Sequence, residues 1–214
     1  MTPDELSHAL RRHRLLAVVR GTEADAALHT VLELVQCGIP LVEVSLTTPD
    51  AFAVLAGAAQ EAGPGAMIGA GTVLTGDEAR RARDAGATYI VTPASAEGER
   101  VAHELGLPVI AGALTPTEIV AAHQAGATAI KVFPASMHGG PSYIRALRDP
   151  LPHIPLIPVG GVDVEAAHAY LAAGALAVGV GSPLVGDAAS GGSLELLRKR
   201  ATAFIESVAA GRAP

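Results

Sequence analysis

Short aliphatic and β-branched runs recur along this chain at a near-constant interval, and that spacing constrains its fold more than any other feature. The runs begin near Leu15 (LLAVVR), Leu41 (LVEVSL), Ala66 (AMIGAGT), Thr88 (TYIVTP), Pro108 (PVIAGA), Ala129 (AIKVFP), Leu156 (LIPVGG) and Ala177 (AVGVGS), about 23 residues apart on average. Runs of this length bounded by Gly and Pro read as parallel strands buried on both faces.

The Ala-rich stretches between them carry helix start and stop signals. Thr115-Pro116-Thr117-Glu118 offers an N-cap hydroxyl, Pro at the first helical position and Glu at the third, a full capping box. Thr2-Pro3-Asp4-Glu5 repeats it, Thr75-Gly76-Asp77-Glu78 keeps its ends, and Thr48-Pro49-Asp50 and Asp163 read as further caps. Gly38, Gly86, Gly106, Gly126 and Gly174 each stand shortly before a strand, where helices stop. Three units end alike, in AGATYIV, AGATAIKV and AGALAVGV. Eight strands alternating with helices, led by a short helix at about 3–13, predict an α/β fold: a single (β/α)8 TIM barrel spanning 1–214. An open doubly wound sheet is the rival, but near-equal units favour closure.

Composition narrows the function classes. Half of the 214 residues are hydrophobic, which excludes a disordered chain. The single Cys37 excludes a disulfide scaffold and points to a reducing compartment. A net charge of −6 and a pI near 5.7 leave no basic footprint for nucleic acid. Mean hydropathy is +0.38, yet no apolar stretch reaches the ~18 residues of a membrane span. The acidic start, Met1-Thr2-Pro3-Asp4-Glu5, has no signal-peptide core. The expectation is a soluble cytoplasmic protein with no membrane partner.

Of 15 basic residues only Lys131 and Lys199 are lysines. Lys199 lies between Arg198 and Arg200 on what reads as a solvated helix face, whereas Lys131 lies inside a strand. Side chains alternate along a strand, so Ala129, Lys131 and Phe133 share one face, and Leu41, Glu43 and Ser45 share another. The opposite faces are aliphatic and suit the helix layer. Lys131 and Glu43 are therefore assigned to the barrel interior, where two charges are expensive. One reading is a structural ion pair, although such pairs are poor stabilisers. The other is chemical: burial lowers a lysine's affinity for its proton and frees the amine to form a Schiff base, and a nearby carboxyl can shuttle protons.

Barrel active sites lie where the strands end. Gly160-Gly161 and Gly179-Val180-Gly181-Ser182 end the last two strands and present bare amides suited to phosphate, or else are only tight turns. Arg20 ends the first strand and can clamp a carboxylate with two parallel bonds, or pair with a helix carboxylate. Thr72 and Thr92-Pro93 end the third and fourth. The eight histidines show no HxH or HExxH spacing, which disfavours zinc. His138, in the Gly-rich loop after the sixth strand, is within reach of the rim but reads first as a solvent-facing loop residue.

With these residues in hand, the chain resembles the KDPG/KHG aldolase family from about Leu15 to Val185. The motifs that carry the resemblance are VEVSLTTPDA, IGAGTVLT, IVTPAS, IKVFPAS, PVGGV at Pro158 and VGVGSPLV, in order and without large gaps. The resemblance implies that Lys131 is the Schiff-base lysine and Glu43 the general acid/base. It implies that Thr72 holds the pyruvyl portion, that Pro93 and Phe133 line the pocket, and that Gly160, Gly161 and Ser182 hold phosphate. It further implies a homotrimer and no metal or other cofactor. Thr47 stands in the binding stretch where many gluconate-type members carry a carboxylate-binding Arg, and Arg20 resembles the arginine that other members place on the first strand. Val159 stands where gluconate-type members often have Thr, as in galactonate-type members.

The implied activity is class I cleavage of a 2-keto-3-deoxy-6-phosphosugar acid to pyruvate and glyceraldehyde 3-phosphate. Cleavage of 4-hydroxy-2-oxoglutarate to pyruvate and glyoxylate is a further expectation. The alternatives are a phosphosugar isomerase or synthase among the phosphate-binding barrels, and a non-catalytic barrel that binds sugar phosphates.

Overall fold

The structure is a computed structural model and describes residues 1–210. The chain opens with α1 (Pro3–His13), followed by β1 (Leu15–Val19), α2 (Ala24–Gln36), β2 (Leu41–Ser45) and α3 (Ala51–Glu61). Next come β3 (Met67–Gly71), α4 (Gly76–Asp84), β4 (Tyr89–Val91), α5 (Glu97–Glu104), β5 (Val109–Ala113) and α6 (Pro116–Gln124). The remainder is β6 (Ala129–Val132), α7 (Pro141–Arg148), β7 (Leu156–Pro158), α8 (Val164–Ala172), β8 (Val178–Val180), the short α9 (Ser182–Val185) and α10 (Leu194–Ala210).

All eight strands run parallel in the order β7-β6-β5-β4-β3-β2-β1-β8, so β8 returns to the side of β1. The seam between β7 and β8 is held by a bridge between Val159 and Gly179 and by the Leu176 amide donating to the Leu156 carbonyl at 2.9 Å. Gly179 is required there, because a Cβ would lie 2.6 Å from a Val159 methyl. The sheet thus closes on itself as a (β/α)8 barrel, and the open doubly wound alternative is excluded.

Strand parity divides the core into two clusters. Outward residues such as Val42, Val44, Ile130 and Val132 pack under the helices. Inward residues, among them Leu16, Leu41, Tyr89, Ile110, Ala129 and Ile157, fill the barrel together with Leu6 and Leu10 of α1. The leading helix therefore plugs the end of the barrel where the strands begin, and leaves the opposite end for a site.

Local signals explain most helix boundaries. Thr2, Thr75 and Thr115 each form a complete capping box with Glu5, Glu78 and Glu118, and Asp163 accepts from the Ala166 amide at 2.7 Å. The five stop glycines all have left-handed φ, between 73° and 102°, a region that glycine enters without a Cβ clash. Asp50 departs from the expected cap. It precedes α3 with φ 49°, and its side chain makes no capping bond. An N-cap needs extended backbone to swing its oxygen over the first amides, and the left-handed turn removes that geometry. Thr48 serves the loop instead, accepting from the Gly21 amide at 3.4 Å. The neighbours of Lys199 also differ from a simple solvated face. Arg198 forks onto Glu33 at 2.6 and 3.0 Å, and Arg200 donates to the Leu184 and Val185 carbonyls. Lys199 itself is exposed and pairs with Glu195 at 2.8 Å.

Among the described residues no helix is long and apolar enough to cross a membrane, and no three His, Cys, Asp or Glu side chains group as metal ligands.

Candidate active site

Above the apolar plug, the interior turns polar at one layer. Glu43 on β2 is completely buried, Lys131 on β6 is 6% exposed, and Lys131 Nζ donates to Glu43 Oε1 at 3.3 Å. Two inward glycines of β3 make room for this pair and its surroundings. A Cβ on Gly71 would lie 1.9 Å from Glu43 Oε1, and one on Gly69 would lie 2.2 Å from the Tyr89 ring. On β5, Gly112 stands beside Lys131 in register, and a Cβ there would lie 2.2 Å from the Pro93 backbone. The absent side chains are as much part of the site as the charged ones.

A cavity of about 330 Å³ opens above the pair at the C-terminal ends of the strands. It is lined by Lys131, Arg20, Thr72, Pro93 and Phe133 and by Val159, Gly160, Gly161, Gly181 and Ser182. The Phe133 ring is 41% exposed, and Lys131 Nζ stands 5.9 Å from its centroid, within reach of cation–π attraction.

Opposite the glycine turns lies a cluster of hydroxyls organised by Ser45. Its Oγ is 2.8 Å from Thr47 Oγ1 and 3.0 Å from Thr72 Oγ1, and it accepts from Arg20 Nε at 3.4 Å. Arg20 has no carboxylate partner among the described residues, so its guanidinium is not held by a helix acid. Thr72 has φ 62°, a left-handed conformation that is a genuine outlier for a β-branched residue. Such strain gathers at sites the surrounding structure holds in place.

Of the residues singled out from the sequence, the fold brings Lys131, Arg20, Thr72, Pro93, Phe133 and the glycine turns with Ser182 to the cavity wall. Glu43 lies beneath it as the floor. Thr47 is exposed and reaches the site only through Ser45. His138 is exposed beside Tyr143 and lines no part of the cavity. Three contributors were not legible as such: Ser45 as the hub of the hydroxyls, the inward glycines of β3 and β5, and Tyr89 lying over Gly69. Parity applied to every strand would have placed the glycines and Tyr89 inward, as it did Ser45. Tyr89 is fully buried, and burial followed by the charge of Glu43 pushes its phenol well above the ordinary range.

Chemically, the arrangement sets an amine against a carboxyl at the base of a cleft, with a cation and hydroxyls on one wall and unblocked amides on the other. Known proteins resemble this chain over most of its length. The sequence profile described as KDPG and KHG aldolase matches residues 6–194. A probable 2-dehydro-3-deoxy-6-phosphogalactonate aldolase of Rhizobium meliloti is 37% identical over 193 residues, covering 89% of each chain. A 2-dehydro-3-deoxy-phosphogluconate aldolase of Treponema pallidum is 35% identical over 77% of this chain and 78% of its own. Among solved structures, native KDPGal superposes with a TM-score of 0.86 at 35% identity, over 92% of this chain and 95% of the other.

Proposed function

This chain belongs to the KDPG and KHG aldolase family of carbon–carbon lyases, and from that premise we propose that it cleaves a 2-keto-3-deoxy-6-phosphosugar acid through a Schiff base on Lys131. The observation that carries the reading is the buried Lys131–Glu43 contact of 3.3 Å at the floor of an open cavity.

The amine of Lys131 attacks the C2 ketone, and loss of water leaves an iminium. Glu43 takes the proton of the C4 hydroxyl as the C3–C4 bond breaks, and the bonding pair moves to C3 as the iminium becomes an enamine. Glyceraldehyde 3-phosphate departs. Return of a proton to C3 regenerates an iminium, and water releases pyruvate and the free lysine. The lysine supplies the electron sink, so no other group is needed to accept the carbanion.

The walls fit the two ends of such a substrate. Arg20, with Thr72 and the Ser45–Thr47 hydroxyls behind it, receives the carboxylate. Gly160, Gly161, Gly181 and Ser182 receive the phosphate at the ends of β7 and β8, where barrels of this kind gather phosphate. Arg200 holds α9 through its last carbonyls, which keeps Ser182 fixed at the rim. Val159 lines the cavity directly before Gly160 and offers a substrate hydroxyl no hydrogen bond. With Arg20, it favours the galactonate epimer. We also propose a homotrimer, as the family resemblance implies, to be checked by sedimentation equilibrium.

Borohydride reduction in the presence of pyruvate is expected to leave one covalent adduct, mapped to Lys131 by peptide mass and absent in Lys131→Arg. A chain that gives no adduct and cleaves neither epimer is not this aldolase. If phosphosugars bind without turnover, the non-catalytic barrel becomes the correct description. Cleavage of both epimers by the wild type and by Val159→Thr tests the preference, and an unchanged ratio removes Val159 as its source.

A further inference from the structure

Beneath Lys131 the barrel holds two buried oxygens that no other residue serves. Glu43 Oε1 is taken by Lys131, while Glu43 Oε2 and the Tyr89 hydroxyl are both buried without a hydrogen-bond partner. Unserved polar atoms in a close-packed interior are rare and call for an explanation.

Register places the two residues in one layer. Glu43 pairs with Gly69 across β2 and β3, and Gly69 pairs with Tyr89 across β3 and β4. Because Gly69 has no side chain, the tyrosine ring lies over it, with Cε2 at 2.2 Å and Cζ at 2.4 Å from where a Cβ would stand. The ring, carried on β4, therefore reaches across β3 at Gly69. The Glu43 side chain comes the other way, over Gly71. Two successive inward positions of β3 without side chains therefore hold the phenol of one neighbour, over Gly69, and the carboxyl of the other, over Gly71.

We propose that Tyr89 is a positioning residue for Glu43: its hydroxyl donates to Oε2 through one bound water, so that Oε1 stays turned toward Lys131 and the reacting proton. This rests on Glu43 acting as the acid/base of the proposed reaction. Few other groups could do the same. Of the inward positions around this layer, β6 supplies Lys131, β1 supplies Arg20 at the rim, and β2 supplies Ser45, whose Oγ is engaged with Thr47, Thr72 and Arg20. β3, β5, β7 and β8 supply only Gly69 and Gly71, Ile110 and Gly112, Ile157 and Val159, and Ala177 and Gly179. Burial and the Glu43 charge keep the phenol protonated, so it remains a donor.

Tyr89→Phe keeps the ring over Gly69 and removes only the oxygen. In the full chain the kcat for cleavage is expected to fall roughly five- to twentyfold with KM within about twofold. The acid limb of the kcat profile is expected to move to higher pH, since a lost donor favours the protonated carboxyl. A second readout needs no substrate. Difference infrared spectra between the wild type and Glu43→Gln isolate the Glu43 carboxyl band, and that band is expected to shift when the same difference is taken with Tyr89→Phe in both proteins. An unmoved band overturns the proposal, as does a fall in kcat with a superimposable pH profile, which marks ring packing alone. If the band moves while the wild type neither cleaves substrate nor traps pyruvate, the aldolase reading fails and the link between Tyr89 and Glu43 stands.

Discussion

Lys131 and Glu43 lie 88 residues apart in sequence and 3.3 Å apart in space, in an interior that is apolar below them except for the Tyr89 hydroxyl. As a stabilising device the pair is a poor choice, because desolvating two charges offsets most of their attraction. As a reactive pair its parts are separable. Glu43→Gln is expected to retain the borohydride-trapped pyruvate adduct while cleavage falls by about 10²–10⁴-fold, the usual contribution of a positioned acid/base. Trapping yield and steady-state cleavage, measured side by side, check this, and full cleavage by the variant would falsify the role given to Glu43. Both residues were legible from strand parity, since each sits among aliphatic neighbours that fix the inward face. Gly69, Gly71 and Gly112 were not. A glycine carries no chemistry of its own, and its part in the site appears only once the neighbouring side chain that fills its space is known.

The elements show the same division between local and distant causes. The capping boxes at Thr2, Thr75 and Thr115 close within three residues, so the sequence alone places them. The tie between α2 and α10 does not follow from either helix. Glu33 is nearly buried, and Arg198, 165 residues away, donates two hydrogen bonds to it. Those bonds and the arginine charge lower the Glu33 carboxyl below its ordinary value of 4.5. A lowered folded-state value means that the stabilisation is fully present above that ordinary value and is lost as pH falls through the lowered one. Arg198 is 55% exposed, so solvent screening keeps the pair's contribution small. Glu33→Gln is expected to lower Tm at neutral pH by about 2–4 °C and to remove part of the acid dependence below the ordinary carboxylate range. Thermal melts across pH measure both effects, and parallel curves for the two proteins would remove the linkage.

At the scale of the whole molecule, stability and chemistry occupy opposite ends of one barrel. The helix α1 seals the end where the strands begin with Leu6 and Leu10, both fully buried, and the cavity opens at the other end. Leu10→Ala is expected to destabilise the fold by about 2–5 kcal/mol while kcat stays within about twofold, since barrel chemistry depends on the opposite face. Urea unfolding and steady-state assays separate the two, and a large fall in kcat in the folded variant would tie the plug to the site.

The sequence by itself determined the eight-unit alternation, the inward direction of Lys131 and Glu43, and most helix ends. Those features depend on interactions within a few residues or on a strand's two-residue period. Only the tertiary structure decided what lies beside what around the barrel: Ser45 joining Arg20, Thr47 and Thr72, Tyr89 lying across Gly69 toward Glu43, and Val159 closing on Gly179. These contacts arise from strand register and closure. Neighbours around a closed sheet are set by the packing of all eight strands together, and no single segment encodes its partner's side chain.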